Sequence, residues 1–173
     1  VMTSLRHRDW DGAETAAHGD KQPFVISGPG AYEVGDITIV GFATPTNYDG
    51  TELEVGNTAY IFDMDGIRVL ALGALSTGKL SPELRAELDD IGIALVPVGD
   101  GTLDPKAAHE LMVSIEPKII IPYGVGPDGL PGQGDAAVKA FLKAEGESPK
   151  AEEKLTIRAK EVAAHDGDVV LLG

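Results

Sequence analysis

A chain of 173 residues, 43% of them hydrophobic, is long enough for one domain with a substantial core and too apolar to be a disordered segment. Its 28 acidic residues against 14 basic ones give a formal charge of -14, which repels phosphate backbones and anionic lipid and so argues against nucleic acid or a membrane surface as partner. The absence of cysteine removes disulfides, thiolate metal sites and cysteine nucleophiles together. With no apolar run of about 18 residues and no leader-like start, the expectation is a soluble cytoplasmic protein of one domain, residues 1–173.

Residues 1–22 are polar and irregular, carry His7, His18 and the lone Trp10, and read as loop with a short helix near 13–17. From Pro23 the pattern changes to short runs rich in β-branched and aromatic residues. These are Phe24-Val25-Ile26, Tyr32-Glu33-Val34, residues 37–42 and residues 58–62, and each reads as a strand. Asp65-Gly66 supplies the positive φ values of a tight hairpin, and it leads into a strand at 67–72 that is too apolar to have a wet face.

After Gly73 the chain alternates helix and strand. Ser81-Pro82-Glu83 is a capped helix start, with the helix expected to run to about Leu88. A buried strand follows at 93–98, then a helix from Asp104-Pro105 to about Ile115, then a strand at 118–122. This order predicts right-handed crossovers and adjacent strands in one sheet. Residues 123–134 are glycine-rich and read as loop, 136–143 as helix, and 155–157 and 169–172 as closing strands.

Few of the polar residues fall into a catalytic pattern. Gly28-Pro29-Gly30 lacks the lysine and hydroxyl that follow a phosphate-cradling loop, and reads as a tight turn between strands. His18, His109 and His165 lack ligand spacing, and Ser27, Ser76 and Ser114 have no evident His and Asp partners. Glu33 and Asp49 form a carboxylate pair only if the fold brings them to glycosidase spacing.

Several longer words stand in a fixed order: residues 26–35 (ISGPGAYEVG), 57–60 (NTAY), 65–70 (DGIRVL), 95–99 (LVPVG) and 115–122 (IEPKIIIP). In that order they resemble the small predicted metal-dependent hydrolases of the metallo-β-lactamase superfamily, over about residues 7–173. The resemblance implies an α/β fold, a four-layer αββα sandwich with mixed sheets and a divalent metal, usually zinc, at one sheet edge. It also implies a strand pair before the first metal motif. That segment has no counterpart here, so a truncated sandwich is expected, with a partner chain, a homo-oligomer contact or residues 1–22 covering the exposed edge.

The family's first motif, His-x-His-x-Asp-His, falls best on residues 7–12, where His7 and Asp11 match, Asp9 is a further candidate ligand and Gly12 has no side chain to offer. His7, Asp9 and Asp11 are thus the expected relic metal site, weak and one-sided. The family's later ligands fall on Asn47-Tyr48-Asp49, on Ala74 and on Tyr123 or Gly124. The reading taken forward is a degenerate, non-catalytic protein of this fold with a structural or interaction role and no cofactor. Two alternatives stay open. One is a hydrolase of a small ester, amide or phosphoester that uses zinc or manganese at an incomplete or intersubunit site. The other is a binding protein for a small ligand in the old cleft.

Overall fold

The computed structural model describes residues 1–7, 10–50, 53–125 and 135–173. Two short strands, β1 (Met2–Thr3) and β2 (Ile26–Ser27), pair in parallel. A seven-stranded mixed sheet follows in chain order: β3 (Gly30–Val34), β4 (Ile37–Thr46), β5 (Leu53–Met64), β6 (Ile67–Ala71), β7 (Ile93–Gly99), β8 (Ile119–Val125) and β9 (Asp168–Val169). The steps from β3 to β6 are antiparallel and those from β6 to β9 parallel. The helices are α1 (Pro82–Arg85), α2 (Pro105–Ile115), α3 (Asp135–Glu145) and α4 (Ala159–Val162).

The expected neighbours are found side by side. Leu70 stands opposite Ala94, and Leu95 opposite Ile121. One face of these strands presents Leu70, Ala94, Val96, Val98 and Ile120 to the helices. There α2 delivers Ala108, Leu111, Met112 and Ile115, the spacing of a single helical stripe, and α3 delivers the fully buried Phe141. Capping follows the chemistry of the sequence: the Asp104 carboxylate accepts from the N–H groups of Lys106 and Ala107, and Ser81 Oγ accepts from Leu84. At the hairpin, Asp65 and Gly66 take φ of 52° and 78°.

On the opposite face β1 and β2 pack over the sheet. Tyr60 Oη donates to Thr3 O at 2.8 Å, and Ile26 joins Ile39 and Tyr60 in a second apolar cluster. The result is an α/β sandwich with mixed sheets. Among the described residues no helix is long and apolar enough to cross a membrane.

Several elements depart from expectation. The helix at Pro82 ends at Arg85; the chain goes on in hydrogen-bonded turns to Leu88 and then passes through Asp90, at φ 56°, to enter β7. Strand β8 continues past Pro122 to Val125. Ile120 O accepts from Val170, so the backbone groups of residues 120 and 122 face β9, and β9 pairs only as far as Ile120. The N–H that proline lacks therefore has no ladder partner to miss. No strand forms at 155–157. Instead the unforeseen α4 buries Val162 near Gly92 and Ile67, its first turn held by the Arg158 N–H donating to Glu161 Oε2 at 2.8 Å. Beyond Val169 there is only an isolated bridge between Glu152 and Leu172. Tyr60 is 2% exposed with its hydroxyl engaged and Phe42 packs on the main core, so neither offers a surface for self-association, whereas Phe24 is 65% exposed.

Candidate functional site

The forward ends of β4, β6, β7 and β8 open on one rim, and the loops leaving them converge there. The N-terminal segment is brought to the same rim by β5: Thr58 N–H donates to Ser4 O, and Leu5 bridges to Asn57. Gly73 permits this approach. Its φ is +60°, and a Cβ there would stand 2.4 Å from Ser4 Cβ and 2.6 Å from Asn57 Oδ1.

Asn57 is buried and ties three elements together. Its Nδ2 donates to Thr44 Oγ1 at 2.7 Å and to Leu72 O at 2.9 Å, and its Oδ1 accepts from the Ala74 N–H at 2.8 Å. Thr46 Oγ1 then donates to Ala74 O at 2.9 Å. The Ala74 position, where the family resemblance expects a bridging aspartate, is thus fully buried, with its N–H and C=O held by the side chains of Asn57 and Thr46.

Around it stand rings. Tyr48, in the turn after β4, is buried; the His7 ring lies 5.1 Å from it and Trp10 5.5 Å, both edge-to-face. Trp10 lies 6.1 Å from Tyr123 on β8. These separations and tilts are those that the aromatic quadrupole favours. A Cβ at Gly101, φ +71°, would come within 3.0 Å of the Tyr48 ring, so the loop after β7 closes on the cluster as well. Tyr123 is half-buried, but its hydroxyl turns inward and donates to Gly73 O at 2.5 Å. Burial pushes this phenol far above its ordinary range, so it stays neutral.

Of the expected relic ligands, His7 is at the rim beside Tyr48. Asp11 is exposed, and its backbone N–H donates to His7 O at 2.8 Å. Asp9 lies outside the described residues, as does most of the glycine-rich stretch, 126–134. Gly12 is not part of the ring cluster; a Cβ there would meet only Thr15. Moving the expected motif two residues upstream, onto residues 5–10, keeps His7 and Asp9 as matches and puts Trp10 in the last histidine's place, where its ring meets Tyr48 and Tyr123. Sequence reasoning missed Trp10 and Asn57. The doubled match of the motif was the available signal for Trp10.

The other flagged residues have local roles. His109 Nδ1 is 3.0 Å from Glu145 Oε1 between α2 and α3, an ion-pair distance without hydrogen-bond alignment. His165 Nδ1 is 2.6 Å from Asp168 Oδ2, and Ser114 Oγ donates to Leu111 O within its helix. Glu33 projects from the exposed strand β3.

A divalent metal of this fold needs imidazole and carboxylate groups converging on one point. Among the described residues no group of three or more His, Cys, Asp or Glu is placed to hold one. Ala74 has no donor and Tyr123 Oη is committed to Gly73, so the described residues do not fit the metal. What the arrangement does is cohesive: rings and one buried amide hold five segments of backbone together. Among the described residues of this rim, the Trp10 indole Nε1 is buried without a hydrogen-bond partner.

A family profile described as a beta-lactamase superfamily domain matches residues 1–124. A metallo-beta-lactamase superfamily structure from Thermotoga maritima is similar at 30% identity and a TM-score of 0.60, over 86% of this chain and 71% of that one. The metallo-beta-lactamase fold protein YhfI of Bacillus subtilis shares the fold at 11% identity and a TM-score of 0.51, over 95% of this chain and 58% of that one. CmlA of Streptomyces venezuelae, a diiron beta-hydroxylase, does so at 13% identity and a TM-score of 0.53, over 86% of this chain and 33% of that one. No curated protein matches the chain.

Proposed function

The chain belongs to the metallo-β-lactamase superfamily, and from that premise we propose that it is a catalytically silent member, a structural or interaction module whose rim is tied by aromatic rings instead of a metal. One observation carries the reading. Of the positions at which the family resemblance expects ligands, His7 packs on Tyr48, Tyr48 and Tyr123 are joined through the ring of Trp10, and Ala74 is buried with no donor to offer. A metal would have to displace ring contacts and the Tyr123 hydrogen bond, and it would find a phenol that burial keeps protonated.

Elemental analysis tests this. Protein purified with zinc and manganese available, without chelator, and then dialysed is expected to retain well under one metal per chain and to leave phosphodiester, lactam and thioester substrates intact. Stoichiometric metal that survives dialysis and is lost in both His7→Ala and Asp11→Ala would restore the hydrolase reading.

The unpartnered Trp10 Nε1 favours a second reading, a small ligand whose carbonyl or carboxylate accepts from the indole beside the tyrosine faces. Native mass spectrometry of the purified chain separates the two: an organic adduct lost in Trp10→Phe supports ligand binding, and the bare chain mass supports the silent module.

A further inference from the structure

Strand β3 is the outer strand of the seven-stranded sheet. Among the described residues it pairs with β4 alone, and it is exposed at every residue but Tyr32. An open edge is a row of unpaired N–H and C=O groups, which proteins blunt with proline, lysine or a bulge. The five-residue run Gly30-Ala31-Tyr32-Glu33-Val34 contains no proline and a single charge, Glu33, and its register on β4 is unbroken from Gly30 opposite Gly41 to Val34 opposite Ile37. We infer that β3 pairs antiparallel with β3 of a second copy of this chain, so that two sheets continue into one. The inference rests on the interaction role proposed above and names the partner.

A second copy fits this edge in register. Residues directly opposite in an antiparallel pair project on the same face. A two-fold axis normal to the sheet keeps both helix layers on one side, and it therefore matches odd residues with odd and even with even. Pairing centred on Glu33 would set two carboxylates opposite each other, and pairing centred on Ala31 would leave Val34 beyond the strand. Centring on Tyr32 uses the whole strand: Gly30 meets Val34, Ala31 meets Glu33, and Tyr32 meets its own copy. No like charges face each other, a cross-strand aromatic pair forms, and Val34, 38% exposed, gains cover. The Tyr32 hydroxyl is already satisfied by Gly28 O at 2.9 Å, so the ring is held in place before pairing.

Charge supplies a signature. Each copy carries -14, so the copies repel at long range and added salt tightens the dimer; a basic peptide on the same edge would instead be released by salt. The test is sedimentation of the full chain from micromolar to millimolar concentration at low and high sodium chloride. A reversible dimer is expected, with a dissociation constant that falls as salt rises. Ala31→Lys places an ammonium opposite each Glu33 and tightens the dimer roughly 2- to 30-fold, while Ala31→Glu weakens it by a similar factor. Residue 31 is exposed, so both variants are expected to keep the parent's circular dichroism melt. A monomer throughout, a dimer indifferent to residue 31, or one loosened by salt would overturn the inference. Metal content is measured separately, so the failure of this pairing and the failure of the silent-module reading are distinguishable.

Discussion

The face that β6, β7 and β8 turn to the helices is aliphatic, built from Leu70, Ala94, Val96, Val98 and Ile120, whereas the loops around the same strands meet through rings and a single buried amide. The first region is held by area: non-directional burial that tolerates any well-fitting apolar set. The second is held by geometry, with Asn57, Tyr48 and Tyr123 each committed to particular partners. The contrast teaches that the loops at this rim are joined by a few directional contacts where the core is joined by area. It also means that damage to either region should be felt differently.

The largest effect is expected in the aliphatic region. Phe141→Ala removes a fully buried ring from the main core and should cost about 3–5 kcal/mol in urea unfolding, while the near-ultraviolet aromatic signal of the rim persists up to the transition. A loss below about 1 kcal/mol would place α3 outside the shared core. Asn57→Ala tests the rim by the same measurement. It strands the Ala74 N–H and Leu72 C=O in a buried site and should cost about 2–4 kcal/mol, with the aromatic signal now reduced in the folded state.

Tyr123→Phe is the mildest change and sharpens the comparison through pH. At neutral pH it forfeits one hydrogen bond, about 1 kcal/mol. Burial raises the Tyr123 and Tyr60 phenols above the ordinary value of about 10, so the folded chain keeps protons that the unfolded chain releases as pH climbs past that value. The stability tied to these groups is whole below about pH 10 and is lost above it. Tyr123→Phe should therefore flatten the alkaline limb of a stability profile, and an unchanged limb would show that the hydroxyl is not buried in solution.

Much of the aliphatic region was legible in the chain. The apolar runs at 69–72 and 93–98 call for burial on both faces, and Asp104-Pro105 announces a helix by local chemistry alone. Strand β8 was read as ending at Pro122 because whether a proline interrupts a ladder depends on which side its missing N–H would face, and only the short β9 decides that. Helix α4 was missed because its one anchor, Val162, is meaningful only beside Gly92. At the rim, the loss of ligands at Tyr48 and Ala74 could be read from the resemblance. What replaced them could not: Asn57 is an ordinary strand residue until the segments at Thr44, Leu72 and Ala74 close around it. Trp10 was masked by a motif that fits in two registers.

The claim that rings, rather than an ion, close the rim is tested most directly by thermal unfolding of the same preparation in chelator and in excess zinc. A metal that binds only the folded chain at a hundred times its dissociation constant would add about 2.7 kcal/mol and raise the midpoint by several degrees. The account predicts coincident transitions in the two solutions. A zinc-dependent rise of several degrees that disappears in His7→Ala would contradict it.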